Sequence, residues 1–502
     1  MKVPRRFPIV AALLVVAAVS LAYLPYAGRG FKQDDFGWIS SSRVRQAADW
    51  PALFTRNTGF YRPAVAVTFA LDELAFGMRP LGYGLTNLAL LLACLFAIAG
   101  LARALGLLPG AALAAGAIWA LNFQGINMAV VWTSGRTALL LVLFAVLAAR
   151  ALVGGRPIVA AVFTLLALLS KEEAVMLPVL LFAWAGLLAY GERRGRESGI
   201  RSQEPGARSP EPGTPLGFGH RTPDTGHRTP AIGGARFSLR AAVHATWLLA
   251  VPLVLYAALR HGSGAFGPLS APSYYRFTLA PLKVADNVLK YLDFAATWPV
   301  VVVVLAAALA RTVPRPSPPE RRIVVLGLAW LVAGYAITVF LPIRSPLYAC
   351  FPAVGAALAA AALVGAVWSP STAAARSRLV VVGLVLPFLL LPVYWARNVR
   401  HAKGAQLSAQ LLHDLENARA EIPDDHVLVL LDDPRLDPTE QLPAAFGTLY
   451  DIAVRDTLGR PVRAWIEPPP DGWQAAGLQR PDTAAPRVVF ALRNGHLVRQ
   501  ER

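Results

Sequence analysis

The feature that most constrains this chain is a series of long apolar runs. Several of them approach the ~20 residues that an α-helix needs to cross a bilayer. With 55% hydrophobic and only 16% charged residues, the chain is too apolar for an ordinary soluble domain. The runs are continuous rather than alternating, which favours helices over the strands of a β-barrel. We therefore predict an all-α polytopic membrane protein.

The hydropathy pattern predicts about eleven transmembrane helices. The run 157–170 is short for a span, so it either crosses as a short helix or forms one broken helix with the next run. The predicted spans are 7–26, 82–106, 110–130, 137–153, 157–170, 174–190, 241–260, 297–311, 322–342, 347–367 and 379–395.

The distribution of basic residues predicts the orientation. Lys2, Arg5 and Arg6 precede the first span, and basic residues favour the cytoplasmic side. The predicted inner loops also carry arginines, although the long loop after the first span is itself basic. We predict a multi-pass protein of the cell inner (plasma) membrane with a cytoplasmic N-terminus. The length of the first run favours a retained helix over a cleavable signal peptide.

Two segments outside the spans differ in character. Residues 27–81, called the first loop below, are predicted to lie outside and to carry interfacial amphipathic helices near Trp50–Phe54 and Val65–Leu74. Residues 191–240 are rich in Gly, Pro, Arg and Ser and include the near-repeat GHRTPDTGHRTP. Such a segment cannot bury a core and is predicted to be a disordered cytoplasmic linker.

The C-terminal part differs from the transmembrane domain, predicted as 1–395. Over residues 396–502 the charge density rises, and short β-like runs occur at Val427–Leu431 and Val488–Leu492. A helix at about 402–420 is predicted to continue from the last span. This pattern indicates a small soluble α/β domain, which the predicted orientation places outside the cytoplasm.

The net charge of +18 at pH 7 raises the question of partners. The arginines are spread among membrane loops and form no stripe with interleaved aromatic residues, so we predict no nucleic-acid partner. Orientation in the membrane and contact with anionic lipids in the bilayer account for them. Both cysteines, Cys94 and Cys350, lie in apolar runs, which argues against a disulfide framework or a thiolate metal site.

Two adjacent aspartates, Asp34 and Asp35, follow the first span at the predicted outer boundary of the membrane. Carboxylates there are costly unless they are solvated or used. A general base needs a carboxylate near the proton of a nucleophile, and two neighbouring like charges raise one pKa toward neutrality. The pair is therefore a candidate catalytic group, against the alternative of a solvated pair at a helix end.

Basic motifs in the other predicted outer connections are candidate phosphate sites. Arg62, in Tyr61-Arg62-Pro63, could hold a phosphate or face lipid headgroups. Arg136 follows Trp132-Thr133-Ser134-Gly135 and is expected at the membrane surface, either as a ligand or as a snorkelling side chain.

The two remaining motifs lie further along the chain. Lys171 and Glu172, in Ser170-Lys171-Glu172-Glu173, must face an aqueous cavity or pair with each other; Lys171 could also bind a phosphate. Arg344, in Pro342-Ile343-Arg344-Ser345-Pro346, lies alone between apolar spans, where it could contact a lipid phosphate.

The predicted orientation brings these groups to one side of the membrane. A carboxylate can deprotonate an acceptor hydroxyl while cations hold the phosphate of a lipid-linked donor. The sequence contains no HExxH metal motif, Walker loop or GxSxG elbow. Since arginines and lysine can neutralise a monophosphate, we predict no metal and no cofactor.

These motifs, in their order, resemble the GT-C integral-membrane glycosyltransferases. The similarity is nearest to the protein O-mannosyltransferases and their tetratricopeptide-repeat-bearing relatives. It covers about residues 7–190 well and 241–395 in hydropathy and the Arg344 loop. The motifs are Gln33-Asp34-Asp35, Tyr61-Arg62-Pro63, Leu85-Thr86-Asn87-Leu88, Trp132-Thr133-Ser134-Gly135-Arg136 and Leu169-Ser170-Lys171-Glu172.

The resemblance implies inverting transfer of a sugar from a polyprenyl-phosphate donor to a protein or cell-envelope glycan or lipid at the outer face. Asp34 or Asp35 would be the catalytic base, with Asp34 favoured at the first acidic position of the motif. Arg136, Lys171 and Arg344 would contact the donor phosphate.

The chain also differs from the family pattern. Relatives often carry histidines where this chain has Gly84 and Leu91, and a glutamate where it has Met128. No tetratricopeptide repeats follow. Two alternatives therefore stay open beside the transferase: a polytopic lipid or sugar transporter or flippase, and a catalytically inactive scaffold with the same fold. Against a transporter, the sequence shows no internal repeat, and its charges cluster at one face.

Overall fold

A computed structural model describes residues 7–56, 60–201, 239–265, 277–474, 477–482 and 484–500. The helices of the membrane domain are connected by short segments, and many of them begin with a proline. Proline suits the first helical turn because the amide hydrogen it lacks has no partner there. The helices are α1 Phe7–Tyr23, α2 Asp34–Ser41, α3 Pro63–Phe76, α4 Pro80–Ala104, α5 Pro109–Ala120, α6 Asn127–Val131, α7 Arg136–Val153, α8 Pro157–Leu168, α9 Leu177–Arg201, α10 Leu239–Gly262, α11 Pro281–Ala310, α12 Pro318–Tyr335, α13 Pro352–Trp368, α14 Ala373–Leu389 and α15 Leu391–Asn417.

Short 3₁₀ segments lie between several of these helices. Their tighter winding suits brief connections, where a full α-turn does not fit. In this part of the chain they are Leu24–Tyr26, Ala47–Phe54, Thr133–Gly135, Glu172–Met176, Thr338–Phe340 and Pro346–Ala349.

Seven helical segments in the described part of the chain are long and apolar enough to cross a membrane. Four shorter apolar helices accompany them, namely Pro109–Ala120, Pro157–Leu168, Trp247–Gly262 and Pro352–Trp368. Each predicted span therefore has a helical counterpart, and the predicted class of an α-helical polytopic membrane domain is confirmed. The number of crossings stays a prediction.

Three predicted spans differ from the helices observed. The last one, 379–395, is divided between α14 and α15 at Leu390. The run 110–130 is interrupted after Ala120, because the Asn122 side chain accepts a hydrogen bond from the Gln124 amide (3.1 Å) and donates to Phe294 O (2.8 Å). The predicted span 297–311 is the second half of a longer helix, since it belongs to the 30-residue helix α11, which begins at Pro281.

The region predicted as a cytoplasmic linker begins within a helix. Helix α9 extends to Arg201, and α10 begins at Leu239. The intervening part of the predicted disordered linker, 202–238, lies outside the described residues.

Helices α12 and α13 pack closely through glycines. A Cβ on Gly355 would lie 2.2 Å from Gly327 O, and one on Gly327 would lie 2.5 Å from Gly355 O. Beside them, the Trp330 indole donates to Phe351 O at 2.8 Å. Small residues allow membrane helices to approach closely where no hydrophobic effect drives them together. This contact therefore fixes the helix pair whose connecting loop carries Arg344.

The C-terminal domain is a small α/β unit. Its elements are β1 Val427–Leu431, α16 Leu442–Phe446, α17 Tyr450–Leu458, β2 Arg463–Glu467, β3 Arg487–Arg493 and β4 His496–Gln500, with 3₁₀ turns at Arg419–Glu421 and Pro438–Glu440. The four-stranded sheet has the order β2-β1-β3-β4, with β1 parallel to β2 and β3, and β4 antiparallel to β3. The strands predicted at 427–431 and 488–492 are both present, and the predicted α/β domain is confirmed.

The C-terminal domain and the first loop share one hydrophobic core. Phe31, Phe36 and Val65 of the first loop pack in the same cluster as Leu428 of β1 and Phe446 of α16. Helix α15 also runs through the predicted boundary at 395/396 without interruption. The aspartate pair at the start of α2 is therefore held by both parts of the molecule.

We expect Gly355→Val to lower the thermal stability of the detergent-solubilised protein by about 1–3 kcal/mol, because the added methyl groups must displace backbone atoms of α12. Gly383→Val is the matched control, since a Cβ there meets no atom within 4 Å among the described residues. Equal melting temperatures for the two variants would contradict this packing.

Candidate active site

The two aspartates begin α2 and point in different directions, because successive residues on a helix are about 100° apart. Asp35 is 1% exposed and turns inward. Its Oδ2 accepts the Lys32 amide (2.9 Å), and its Oδ1 accepts both the Ser134 amide (2.7 Å) and the Ser134 hydroxyl. Burial raises the pKa of Asp35 to about 6, and the hydrogen bonds from Ser134 and Lys32 lower it in part. Asp35 thereby joins α2 to the turn before α7.

Asp34, by contrast, has a solvent-exposed side chain. Among the residues described, its carboxylate accepts no hydrogen bond and forms no ion pair. The surrounding protein displaces enough water to raise the pKa of Asp34, while the nearby charges of Arg62 and Lys32 lower it. Asp34 is thus an accessible carboxylate near two cations.

Arg62 lies at the start of α3 and binds Glu172 in a bidentate manner. Its Nε is 3.0 Å from Glu172 Oε2 and 3.2 Å from Oε1, and its Nη2 is 2.6 Å from Oε2. The guanidinium also lies 4.2 Å from the centre of the Phe60 ring. A backbone hydrogen bond from Ala64 N to Leu169 O (3.1 Å) holds the two segments together. The motifs at 61–63 and 170–173 are therefore adjacent in space.

Lys171, next to Glu172 in the chain, is buried. Its Nζ is 3.0 Å from Glu173 Oε1 and 4.9 Å from the centre of the Tyr348 ring. The sequence leaves open whether Lys171 pairs with a glutamate or faces a cavity. The structure pairs it with Glu173, whereas Glu172 pairs with Arg62.

Arg344 is partly exposed and lies between α12 and α13. It forms an ion pair with Asp286, and its Nε donates to Asn287 Oδ1 at 2.8 Å. The Tyr291 hydroxyl donates to Ile343 O (3.4 Å), and the Tyr291 ring lies 6.3 Å from that of Tyr348, which contacts Lys171. A continuous series of contacts thus connects Arg344 with Lys171.

Arg136 is the exception among the predicted cations. We expected it at the membrane surface, but it is fully buried because its guanidinium is surrounded by acceptors. It contacts Asp72 (2.6 Å), donates to Asn87 Oδ1 (3.1 Å), and packs 4.3 Å from the centre of the Phe69 ring. Further hydrogen bonds reach the carbonyl groups of Thr68 and Tyr83. Arg136 therefore connects α3, α4 and α7 and does not open onto the site.

Sequence reasoning missed two cations near the site. Lys32 Nζ donates to His401 O (2.8 Å) and lies 5.5 Å from the centre of the Trp132 ring. Arg260 donates to the Tyr256 hydroxyl (2.9 Å). Lys32 precedes Asp34 by two residues and could have been noticed, whereas Arg260 lies at the end of α10, far along the sequence.

Metal binding is a separate question. Within the described ranges, no group of three or more His, Cys, Asp or Glu side chains is placed to hold a metal ion. The expectation that no metal takes part stays a prediction.

The comparisons with known proteins concern the fold. No protein-family model matches the sequence, and no curated protein matches it. The structure is similar to that of ArnT from Cupriavidus metallidurans bound to undecaprenyl phosphate, with a TM-score of 0.50 at 13% identity, over 97% of this chain and 93% of that chain. The molecule therefore has a GT-C-type membrane fold.

Two other solved structures are similar at lower scores. The Archaeoglobus fulgidus oligosaccharyltransferase tethered with an acceptor peptide gives a TM-score of 0.44 at 12% identity, over 91% of this chain and 64% of that chain. The arabinofuranosyltransferase AftD from Mycobacteria gives 0.41 at 14% identity, over 88% of this chain and 31% of that chain.

We expect Asp72→Ala to destabilise the protein by about 3–5 kcal/mol, because it leaves the Arg136 charge buried without its carboxylate partner. Thermal unfolding in detergent measures the change. As a control, Glu440→Ala breaks the half-exposed pair with Lys403 and should cost at most about 1 kcal/mol. Similar losses in both variants would mean that Arg136 does not depend on Asp72.

Proposed function

We propose that this protein is a membrane glycosyltransferase that moves a sugar from a polyprenyl-phosphate-linked donor to a protein or cell-envelope acceptor. The observation that carries the proposal is the accessible Asp34 carboxylate beside Arg62 and Lys32. The fold shared with ArnT, whose structure holds undecaprenyl phosphate, supports a lipid-phosphate donor.

In this proposal Asp34 is the general base. It takes the proton of the acceptor hydroxyl as that oxygen forms a bond to the anomeric carbon of the donor sugar. The bond from that carbon to the phosphate oxygen breaks, and its electron pair leaves with the polyprenyl phosphate. Attack opposite to the leaving group inverts the configuration. Asp35 would support Asp34 by anchoring α2 through Ser134.

Arg62, Lys171 and Arg344, called the cationic wall here, would receive the phosphate of the donor. Arg62 and Arg344 are partly exposed, and each is held by a carboxylate, Glu172 and Asp286 respectively. Lys171 is more deeply buried and would act through its field. A phosphate that approaches these side chains can replace the carboxylates of Glu172 and Asp286 as the partner of the two arginines. It then accepts charge-assisted hydrogen bonds from them. Positive charge at the leaving oxygen stabilises the charge that develops in the transition state.

The acceptor and the orientation belong to the same proposal. The motif resemblance extends it to the protein O-mannosyltransferase branch, in which a protein hydroxyl is the acceptor. The positive-inside distribution of arginines supports an active site at the outer face and an extracytoplasmic C-terminal domain. The protein would then act on substrates of the cell envelope.

We expect Asp34→Asn to reduce sugar transfer by at least about 10²- to 10⁴-fold, since a carboxamide cannot accept the proton. Transfer is measured with purified protein, a polyprenyl-phosphate sugar and envelope acceptors, with mass spectrometry as readout. The exposed Asp471→Asn variant is the matched control and should keep full activity. Full activity of Asp34→Asn would exclude this residue as the base.

Two other results would favour the alternative functions. Sugar-independent lipid translocation in proteoliposomes would favour a flippase. A partner complex that withstands the substitution, without any sugar transfer by the wild-type protein, would favour a scaffold.

The pH dependence follows from the environment of Asp34. The base works in its ionised form, and the partial loss of water around the accessible Asp34 carboxylate raises its pKa above the ordinary value of 3.8. We therefore expect kcat to fall about tenfold per pH unit on the acidic side, with a midpoint above that value. This fall of kcat at acidic pH should be absent from the residual activity of Asp34→Asn. A midpoint at or below 3.8 in the wild-type protein would contradict the proposed environment.

A further inference from the structure

The residue before Asp34 has an unusual backbone conformation. Gln33 adopts φ +47° and ψ −121°, a region that residues with a Cβ rarely occupy. Such a conformation is strained and persists only where the surroundings hold it. Because Asp34 follows directly, the dihedral angles of Gln33 set the direction in which α2 and its first carboxylate begin.

The contacts that hold Gln33 come from the C-terminal domain. Its amide donates to Ala445 O at 2.9 Å, and its side-chain Nε2 donates to Pro443 O at 3.3 Å. Both acceptors belong to α16. Gly447, just after α16, faces the same side chain, since a Cβ there would lie 3.6 Å from Gln33 Cγ.

The neighbours of Gln33 are docked on the same surface. A Cβ on Gly30 would lie 2.3 Å from Ala405 O, so only glycine fits against α15 at that point. The Phe36 ring lies 6.0 Å from that of Phe446 in α16. Further along, Arg43 forms an ion pair with Asp456 of α17 at 2.9 Å. The segment from Gly30 to Arg43 is therefore held in place by its contacts with α15, α16 and α17.

We propose that Gln33 is a positioning residue for Asp34, and that the C-terminal domain acts on the reaction by holding Gln33 through α16. This inference rests on the proposed function. Displacement of a reacting group by about 1 Å can cost on the order of 10²-fold in rate. Because the C-terminal domain holds this loop in its strained conformation, the rate of sugar transfer should depend on the contact between the loop and that domain.

Two substitutions in the full-length protein separate positioning from folding. Gln33→Gly relieves the backbone strain and removes the amide side chain. Gln33→Leu keeps the strain and removes only the bond to Pro443 O. The matched control is Gln410→Leu, which removes an amide that donates to Asp414 within the C-terminal domain.

We expect both Gln33 variants to lower kcat by about 10- to 100-fold, with the donor KM within about twofold of the wild-type value. Gln33→Gly should not lower the melting temperature, since glycine accepts positive φ without strain. Hydrogen exchange of amides 31–36 should become faster in both variants and stay unchanged in Gln410→Leu. A merely structural role would lower the melting temperature and the activity together.

An unchanged kcat in both Gln33 variants, or unchanged exchange of amides 31–36, would overturn the positioning role. An inactive wild-type protein would instead overturn the proposed function. In that case the exchange of amides 31–36 in Gln33→Gly still decides whether Gln33 holds the loop of Asp34.

Discussion

The buried pair of Arg136 and Asp72 is the contact on which the rest of the site depends. A guanidinium in the protein interior is stable only where a carboxylate and other acceptors replace water. Here the acceptors come from α3 and α4, while Arg136 itself begins α7. The pair therefore fixes the direction of α3, and the start of α3 carries Arg62. It also fixes the turn before α7, whose Ser134 binds Asp35. One buried charge thus determines the positions of a candidate phosphate-binding cation and of the aspartate helix.

The second constraint is the core shared by the first loop and the C-terminal domain. Helix α2 is only eight residues long and would be marginal alone, because short helices gain most of their stability from packing. Phe36 and Ile39 bury one face of α2 in that core, which leaves Asp34 at the exposed side. The same packing surrounds Gln33 and supports its conformation. A small sheet domain outside the membrane helices thereby contributes to a site at their edge.

Much of the architecture could be predicted because it depends on local physical properties. Span positions follow from the apolar run length, and the strand Val427–Leu431 follows from its β-branched and leucine-rich composition. The errors arose where side chains made long-range contacts. The run 110–130 appears continuous in hydropathy, yet Asn122 binds a carbonyl group of α11 and the helix is interrupted. The prediction of Arg136 at the surface is wrong because its buried partners lie on two other helices, α3 and α4, which are distant from Arg136 in the sequence.

The sequence was sufficient for the class of protein, the aspartate pair and the basic motifs, since each is a property of composition or of neighbouring residues. Tertiary structure decided what each charge does. Asp34 and Asp35 are adjacent and chemically identical, but the helix turns them apart, so one is exposed and the other is bound by Ser134. Arg62 and Arg136 likewise look alike in sequence, but only Arg62 lies near Asp34 at an accessible surface. The physical reason is burial: the access of water to a charge depends on contacts between residues that are far apart in the chain.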